Sequence, residues 1–455
     1  MDLATRYARP SSVDTALGLV FLASALRQRP APAPDAGPQA LFAGRIAAPR
    51  TFAQLLTTLR EVVDARFHRP DLWRLLDPVI TGGSGHLRLE CFSSCASVYA
   101  RVDLADSAFE RADFGLPGTT NVDFGTRFVS HLAGLRPTGA ADLDVGEDSV
   151  RLSSGRGAAV ERKVRLPDRW RRGFVQIQAA QRQATPRFAL SGSALRRLVD
   201  AIPARPLEEM WILPGRSPRL LPRKPRDPQA VALRGAHRLA LLRRLLPSVT
   251  GAQVYGVEST GGTWWVVDTA HGRLELGLSS RAQHGFSGDG DALRQLDAPV
   301  ADDKDHIASV VAALNRFDAD TLADVLDVTP GQAAGVADAL ASEGVLGFDR
   351  ADGVWFHRVL PWARREGARD PRRLKGSRAI LEGGGVELLE VARDDGLRAD
   401  GLVTGATATY RTRVTVDATG YLADGSCTCT WIVKHGLERG PCKHMLALRF
   451  AAADA

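Results

Sequence analysis

Apolar residues recur with helical spacing near the start of the chain and with strand spacing further on. The segment Thr51–Phe67 is predicted to be an amphipathic helix, because its apolar residues fall three and four positions apart. Those residues are Phe52, Leu55, Leu56, Leu59, Val62 and Val63. Apolar and polar residues alternate in His86–Phe92 and Ser97–Leu104, which predicts two strands after a turn at Thr81–Gly85.

A helix and three strands follow, in an order that is then repeated. The helix Gly125–Leu135 precedes predicted strands at Ala141–Val145, Ser149–Ser153 and Val160–Leu166. The second pass is predicted to contain helices Ser193–Ala201 and Gly235–Leu246 and strands Phe188–Leu190, Met210–Leu213, Gly251–Val257, Thr263–Asp268 and Gly272–Leu278. This order resembles the repeating unit of sliding DNA clamps. The alternative is an α+β fold of another kind.

The segment Asp305–Val359 has the pattern of a winged-helix domain. A first helix at Asp305–Phe317 is followed by a second, which begins at Asp318 or Asp320. Thr329 as N-cap and Pro330 at the first helical position predict the start of a third helix. A hairpin of Val345–Asp349 and Val354–Val359 would form the wing.

The third helix of this segment lacks the residues that read DNA. Gln332 is its one candidate for a base contact, and the helix carries no arginine or lysine. Arg350 and Arg358 in the wing could supply a phosphate contact or two. We therefore expect this unit to pack against a partner or a neighbouring domain.

The carboxyl-terminal pattern predicts a metal site. Cys427 and Cys429 form one close pair, and Cys442 and His444 form a second. Three thiolates and one imidazole make a closed tetrahedral set for one structural Zn²⁺, with no open position for a substrate. An extended Tyr421–Cys429 would place the first pair on one face.

Other sulfur and histidine residues fit this site less well. His435 is an alternative ligand, but it lies in the middle of the loop between the two pairs. Cys91 and Cys95 suggest redox chemistry or a second metal site, but no histidine or third cysteine lies at ligand spacing. We interpret them as small buried residues.

Composition places the chain among ordinary globular proteins. It has 455 residues, a 44% hydrophobic content and a net charge of +7, and all but six of its 59 basic residues are arginine. Five cysteines in so long a chain do not make a disulfide framework. No apolar run approaches the roughly 20 residues that a membrane span requires.

The amino terminus has one segment with two interpretations. Thr15–Leu26 is similar to the hydrophobic part of a signal peptide, but Asp2 and Asp14 dilute the positive charge before it. We favour an amphipathic helix docked on the body of the protein. Thiolate ligands also favour a reducing compartment, so we expect a cytoplasmic protein.

A basic segment before the metal site is the candidate for nucleic-acid binding. Trp355, Trp362 and Trp431 could stack on unpaired bases. The alternatives are a solvated face for the charges and a core role for the tryptophans. The candidate contacts are Arg364, Arg365, Arg369, Arg372, Arg373, Lys375, Arg378, Lys434, Arg439 and Lys443, with Arg411 and Arg413 nearby.

The spacing C-x-C-x(n)-C-x-H resembles the SWIM zinc finger. Further similarity to one bacterial family of SWIM-type proteins lies in Tyr7–Ser11, Thr81–Ala100, Gly118–Phe124, Glu161–Trp170 and Trp355–Pro361. Members of that family are encoded beside MoxR-type AAA+ ATPases and von Willebrand factor A proteins. The resemblance implies an adaptor subunit with such a partner, and it brings no catalytic residues.

The sequence therefore predicts an α+β multidomain protein that is not an enzyme, since no P-loop, dinucleotide-binding or hydrolase motif occurs in it. The predicted parts are an amino-terminal helix with a Pro-rich connector (1–39), two mixed α/β units (40–172 and 173–300), a winged-helix-like domain (301–362), and a basic segment with a SWIM zinc finger (363–455). The alternative to the zinc-binding adaptor is a zinc-stabilised protein that binds DNA or RNA.

Overall fold

The structure, a computed structural model, describes most of the chain. The described residues are 12–14, 19–21, 40–67, 78–164, 166, 168–203, 209–257, 261–280, 285–286, 304–358, 360, 372–393, 396–417, 422–437 and 440–455. Among the helices formed by these residues, none combines the length and the apolar character needed to cross a membrane.

Strands and helices alternate irregularly along the chain. The first part contains β1 (Ser12–Asp14), β2 (Leu19–Phe21), β3 (Ala40–Ile46), α1 (Pro49–Asp64), β4 (Val79–Gly83), β5 (His86–Phe92), β6 (Val98–Ala105), β7 (Phe109–Asp113), β8 (Gly118–Asn121), α2 (Thr126–Ala133), β9 (Ala141–Gly146), β10 (Ser149–Ser154) and β11 (Gly157–Arg162). The middle part contains α3 (Asp168–Gln183), β12 (Thr185–Ser191), α4 (Gly192–Asp200), β13 (Glu209–Leu213), β14 (Arg219–Leu221), β15 (Val231–Arg234), β16 (Val249–Val257), β17 (Gly262–Thr269) and β18 (Gly272–Leu278).

The last part begins with a helix-rich unit and ends with a small sheet. It contains α5 (Lys304–Leu314), β19 (Arg316–Phe317), α6 (Ala319–Leu326), α7 (Pro330–Ser342), β20 (Leu346–Asp349), β21 (Val354–His357), α8 (Arg372–Glu382), β22 (Val386–Arg393), β23 (Gly396–Thr404), β24 (Thr409–Asp417), β25 (Leu422–Cys427), α9 (Thr430–His435) and α10 (Lys443–Asp454).

The expected amino-terminal helix Thr15–Leu26 is wrong where the structure describes it. Leu19–Phe21 is a strand that pairs antiparallel with Ser12–Asp14. A short apolar run fits a strand as well as a helix, so periodicity could not decide between them. The rest of Thr15–Leu26 lies outside the described residues.

The predicted turn at Thr81–Gly85 is shorter than expected. The strand β4 continues to Gly83, and the hairpin turn consists of Ser84 and Gly85, both with positive φ. Two left-handed residues are what a two-residue hairpin turn requires. The strand predicted at Val160–Leu166 is also displaced, since β11 pairs with β10 from Gly157 to Arg162.

The predicted helix Gly235–Leu246 is a 3₁₀ helix at Ala236–Arg244. The buried Arg238 occupies the acceptor at the start of this helix. Its guanidinium Nη2 donates to the carbonyl oxygen of Arg234 at 2.7 Å, the acceptor that its own N–H would use in an α-helix. The backbone N–H of Arg238 bonds to the Gly235 carbonyl instead.

The two predicted α/β units share one sheet. Its eight antiparallel strands run in the order β12-β16-β17-β18-β6-β5-β4-β8, so that β18 of the second unit pairs with β6 of the first. A second sheet, β11-β10-β9-β3-β7, lies in the first unit. A single hydrophobic core includes buried residues of both units. The helix α1 contributes all six apolar residues that the spacing predicted.

Both faces of the large sheet are buried at its centre. Leu87, Leu89 and Cys91 of β5 share the apolar face, while Arg88 and Glu90 point the other way. Strands β6 and β18 alternate in the same manner. The polar face is covered by α3 and by the hairpin β20–β21, so its charged residues lie inside the protein.

These charged residues form what we call the buried charge joint, which consists of Arg88, Glu90, Arg101, Asp103, Glu275, Asp349 and Arg358. Arg101 pairs with Asp103 at 2.8 Å, with Glu275 at 2.6 Å and with Asp349 of the hairpin at 3.2 Å. Arg358 pairs with Glu90 at 2.6 Å. The joint therefore fixes the hairpin to the sheet.

The segment from α5 to β21 has the three helices and the hairpin that the sequence predicted, but the first helix is shorter than expected. Arg316 and Phe317, which were expected at its end, form the strand β19 and pair with β21. The N-cap Thr329 and Gln332 form a reciprocal capping box at the start of α7. Helix α7 packs against α3, where Arg182 bonds to Asp338 at 3.3 Å and lies over the ring of Trp355. This packing agrees with the expectation that the helix contacts a neighbouring part of the chain.

The carboxyl-terminal unit is a four-stranded antiparallel sheet, β22-β23-β24-β25, with α8 and α10 beside it. Met445, Ala447 and Leu448 of α10 share a buried core with Val403 and Val414 of the sheet. This core places the start of α10 beside the end of β25, where the predicted metal ligands lie.

Candidate metal centre

The four predicted ligands lie at the ends of three elements. Cys427 is the last residue of β25, and Cys429 is the N-cap of α9. Cys442 is the N-cap of α10, and His444 lies in its first turn. The strand therefore ends two residues earlier than expected, because the chain enters α9 directly after Cys429.

The ligand atoms form a compact group. The three sulfurs and the imidazole nitrogen lie within 4.8 Å of one another. The Nδ1 atom of His444 is 3.8 Å from the Cys427 sulfur and 3.9 Å from the Cys442 sulfur. A tetrahedron built on zinc–sulfur bonds of about 2.3 Å has edges of about 3.8 Å. The group therefore fits one zinc ion after a small contraction.

The group is closed to solvent. The exposed fractions are 6% for Cys427, 4% for Cys429, 2% for Cys442 and 4% for His444. An ion bound by all four donors would have a filled tetrahedral shell, with no position left for water. This donor set suits a structural ion and not one that activates water.

Hydrogen bonds to the sulfurs stabilise their thiolate forms. The backbone N–H of Met445 points to the Cys442 sulfur at 3.5 Å, and the hydroxyl of Thr412 donates to the Cys427 sulfur at 3.4 Å. The pKa of Cys429 is raised by burial, although the backbone N–H of Ile432 opposes that shift.

Without a metal the sulfurs compete for protons. The hydrogen bond from the Cys442 thiol lowers the pKa of Cys427 to about 4, and the same bond raises the pKa of Cys442. A bound cation would take the place of these protons on all three sulfurs.

Two residues of the sheet hold the imidazole. The ring of Tyr410 stacks on the ring of His444 with a centroid distance of 4.3 Å and an angle of 27°. Gly405, in the turn between β23 and β24, packs at the edge of both rings, since a Cβ there would lie 2.9 Å from Nε2 of His444 and 3.2 Å from the Tyr410 ring. The buried Nε2 atom has no hydrogen-bond partner among the described residues. The packing thus turns Nδ1 towards the sulfurs.

The loop between the two ligand pairs is held by a left-handed glycine and by contacts with Arg373 of α8. Gly440 has a φ of 74°, which returns the chain towards Cys442 as expected. Arg373 of α8 donates to the carbonyl of Pro441 at 2.8 Å and lies over the ring of Trp431. His435 contacts the Trp431 ring and is not part of the sulfur cluster.

The predicted nucleic-acid contacts are only partly described. Arg364, Arg365, Arg369 and Arg439 lie outside the described residues, as does the side chain of Arg372. Lys375, Arg378 and Lys434 are exposed, and Lys443 is half-buried. Arg373 is engaged with the metal-centre loop and is therefore not a free cation.

Several residues considered for nucleic acid are instead structural. Trp355 is buried in the core of the helix–hairpin unit, and Trp431 is covered by Arg373. In the wing, Arg358 is buried against Glu90, so the expected phosphate contact from this residue is wrong. Arg350 reaches the carbonyl oxygens at the end of α3. Sequence alone could not show that these groups face the protein.

The two remaining cysteines are buried, as interpreted from the sequence. Cys91 donates its thiol proton to the carbonyl of Leu59, and burial raises its pKa well above the ordinary value. Cys95 forms hydrogen bonds with Ser93 and Ser97.

Comparisons with known proteins give limited information. No family model matches this chain, and no curated protein matches it. The proliferating cellular nuclear antigen of Entamoeba histolytica overlaps 53% of this chain and 98% of its own, with 11% identity and a TM-score of 0.36. The PCNA2-PCNA3 complex of Sulfolobus tokodaii overlaps 53% of this chain and 99% of that chain, with 9% identity and a TM-score of 0.39. Similarity at this level identifies no function, so the clamp-like repeat stays a prediction.

Proposed function

We propose that this protein is a non-catalytic zinc-binding adaptor whose carboxyl-terminal unit is held in shape by one structural Zn²⁺. The observation that carries the proposal is the closed and buried set of three sulfurs and one imidazole nitrogen. Zinc bound there would link the end of β25, the start of α9 and the start of α10. The ion would stabilise the fold and would not take part in bond making.

The partner surface is proposed to be protein. Helix α7, which would read DNA in a winged-helix domain, is packed against α3, and the wing is fixed in the buried charge joint. These surfaces are therefore not free for DNA. The resemblance to SWIM-type proteins favours an AAA+ ATPase or a von Willebrand factor A protein as the partner, in a reducing cytoplasm.

A binding experiment tests the adaptor role. The purified protein would be mixed with a MoxR-type AAA+ ATPase from the same organism, and complex formation would be measured by analytical ultracentrifugation. We expect a complex with the zinc-loaded protein that survives high salt and is lost after chelation. The absence of a complex with the zinc-loaded protein would contradict this role.

The second candidate function is nucleic-acid binding by the carboxyl-terminal unit. It is favoured by the exposed Lys375, Arg378 and Lys434 on the unit that holds the metal centre. An electrophoretic mobility assay with duplex and single-stranded DNA at two salt concentrations would test it. Binding of this kind weakens steeply with salt, because counterions are released from the phosphates. No shifted band at low salt would exclude it.

A further inference from the structure

An open cavity of about 250 Å³ lies on the carboxyl-terminal unit next to the metal centre. It is lined by Asp400, Arg411, Thr412, Arg413, Ser426, Cys427 and Thr428. Asp400 belongs to β23, three of the residues belong to β24, Ser426 and Cys427 end β25, and Thr428 follows directly after it. The cavity is distinct from the metal site, because only Cys427 belongs to both.

A buried carboxylate orients two arginines at this cavity. Asp400 receives hydrogen bonds from Arg413 at 2.7 Å and 3.2 Å and from Arg411 at 3.4 Å. The Asp400 side chain is 9% exposed, whereas those of Arg411 and Arg413 are 67% and 63% exposed. The carboxylate thus holds one edge of each guanidinium and leaves the other edge facing solvent.

The outward edges have unused donors. The bonds to Asp400 use Nε and Nη2 of each arginine, and the Nη1 groups have no hydrogen bond among the described residues. Ser426 and Thr428 add two exposed hydroxyl groups to the same cavity. Asp400 balances one of the two guanidinium charges, and Glu390, which pairs with Asp400 across β22 and β23, also attracts Arg413.

We propose that this cavity binds a phosphate group. Arginine presents its N–H groups in a planar fork that matches phosphate oxygens, and the hydroxyls can donate to the remaining oxygens. Because Asp400 already fixes the arginines, little conformational entropy is lost when the anion binds. A carboxylate has fewer oxygens and less negative charge than a phosphate, so it would accept fewer hydrogen bonds from these donors.

The proposal rests on the proposed zinc centre for its rigidity. Cys427 lines the cavity, and the hydroxyl of Thr412 connects β24 to the Cys427 sulfur. Removal of zinc would release the end of β25 and the residue after it, and with them Ser426 and Thr428. We therefore expect phosphate binding to weaken when the metal is removed.

Two probes distinguish the source of the phosphate. Pyrophosphate represents a free phosphorylated molecule, and a fluorescein-labelled short oligothymidylate represents the backbone of single-stranded nucleic acid. Binding to the zinc-loaded full-length protein would be measured by calorimetry for the first probe and by fluorescence anisotropy for the second. Binding of pyrophosphate alone supports a small-molecule ligand, and tighter binding of the oligonucleotide supports a nucleic acid.

The decisive variant is R411Q/R413Q. We expect it to weaken binding of whichever probe binds by at least about tenfold, since it removes both charge-assisted donors to the phosphate oxygens. The matched control is R45Q/R111Q, which removes two arginines that share Asp142 on the other sheet. The affinity of the control for the probe should lie within about twofold of the wild-type affinity, because the control removes the same amount of charge outside the cavity.

Zinc content and circular dichroism would be measured for every sample, to show that each variant is folded and retains its metal. Should R411Q/R413Q lose zinc, Thr428→Ala with both arginines intact is the replacement, and we expect it to weaken binding several-fold. The proposal is overturned if neither probe binds to the zinc-loaded wild type, or if the variants bind as tightly as the wild type. A wild-type protein that contains no zinc but binds pyrophosphate would instead refute the zinc proposal alone.

Discussion

The buried charge joint and the metal centre both bury ionisable groups, but their balancing charge comes from different sources. In the joint, three arginines meet four carboxylates, and Arg273 at the rim lies within 4.0 Å of Asp349 as the fourth cation. In the metal centre, three sulfurs and an imidazole converge with no cationic side chain among their ligand atoms. The first region balances its charges with side chains of the protein itself, whereas the second has the donor set to take up a cation from outside.

The two regions also contribute differently to the structure: the joint orients the hairpin, and the metal centre is expected to supply folding free energy. Buried ion pairs contribute little net stability over apolar residues, but removal of one partner is costly. The joint therefore fixes one orientation of the hairpin on the sheet. A structural zinc site supplies folding free energy directly, about 10–16 kcal/mol in isolated zinc-finger peptides. The metal centre can thus hold a small unit whose own core is modest.

The largest expected effect is loss of a zinc ligand. Either Cys442→Ser or His444→Ala should release the metal and unfold roughly the last 40 residues, because binding and folding are coupled there. Metal analysis and hydrogen exchange would detect both changes, while the amides of β5 and β6 stay protected. One zinc per chain retained in either variant would contradict the ligand assignment.

The next effect is loss of one partner in the joint. Arg358→Met leaves the buried Glu90 carboxylate with the Tyr99 hydroxyl, at 2.7 Å, as its one remaining hydrogen-bond donor among the described residues. We expect a loss of about 3–5 kcal/mol in the free energy of urea unfolding, with zinc content unchanged.

Arg45→Met is the matched control for this change. Arg45 forms a partly exposed ion pair with Asp142, and its loss should cost about 0–1 kcal/mol. Equal losses in the two variants would mean that burial does not distinguish the joint from a surface pair.

The buried charge joint should also make the free energy of unfolding depend on pH, through Glu275. Burial raises the pKa of Glu275 to about 7, despite the attraction of Arg101. A carboxyl group whose pKa is raised by folding stabilises the fold most below its unfolded pKa, and this contribution is lost as the pH rises through 7. Relative to Glu275→Gln, the wild type should therefore lose on the order of 1–3 kcal/mol between pH 5 and pH 8. Urea unfolding at the two pH values measures this, and a constant difference would be inconsistent with the shift.

The smallest expected effect concerns the packing of the imidazole. Tyr410→Ala removes the ring that stacks on His444, and zinc affinity should fall by about tenfold. Tyr410→Phe keeps the ring and should stay close to the wild type. Competition with a chromophoric chelator gives both affinities, and equal values for the two variants would show that stacking does not position the ligand.

The sequence predicted the cluster of three sulfurs and one imidazole because its residues are close together in the chain. Two pairs of ligands, each separated by one residue, are brought together by the short helix α9 and the left-handed glycines Gly436 and Gly440 that follow it. The α1 core face and the capping of α7 by Thr329 were predictable for the same reason, since both depend on neighbouring residues.

The joint and α3 could not be predicted, because they depend on contacts between distant parts of the chain. Arg101 and Phe348 are 247 positions apart, yet Arg101 donates to the Phe348 carbonyl at 2.7 Å. Alternation in β5 and β6 predicts two faces but not what covers the polar one. Helix α3 was missed, although Phe174, Ile177 and Ala180 have helical spacing.

X-ray absorption at the zinc edge of the purified protein tests the central claim most directly. We expect one zinc per chain, with three sulfur ligands at about 2.3 Å and one nitrogen at about 2.0–2.1 Å. A protein without zinc, or a zinc with two or more oxygen ligands, would contradict a closed structural site made by Cys427, Cys429, Cys442 and His444.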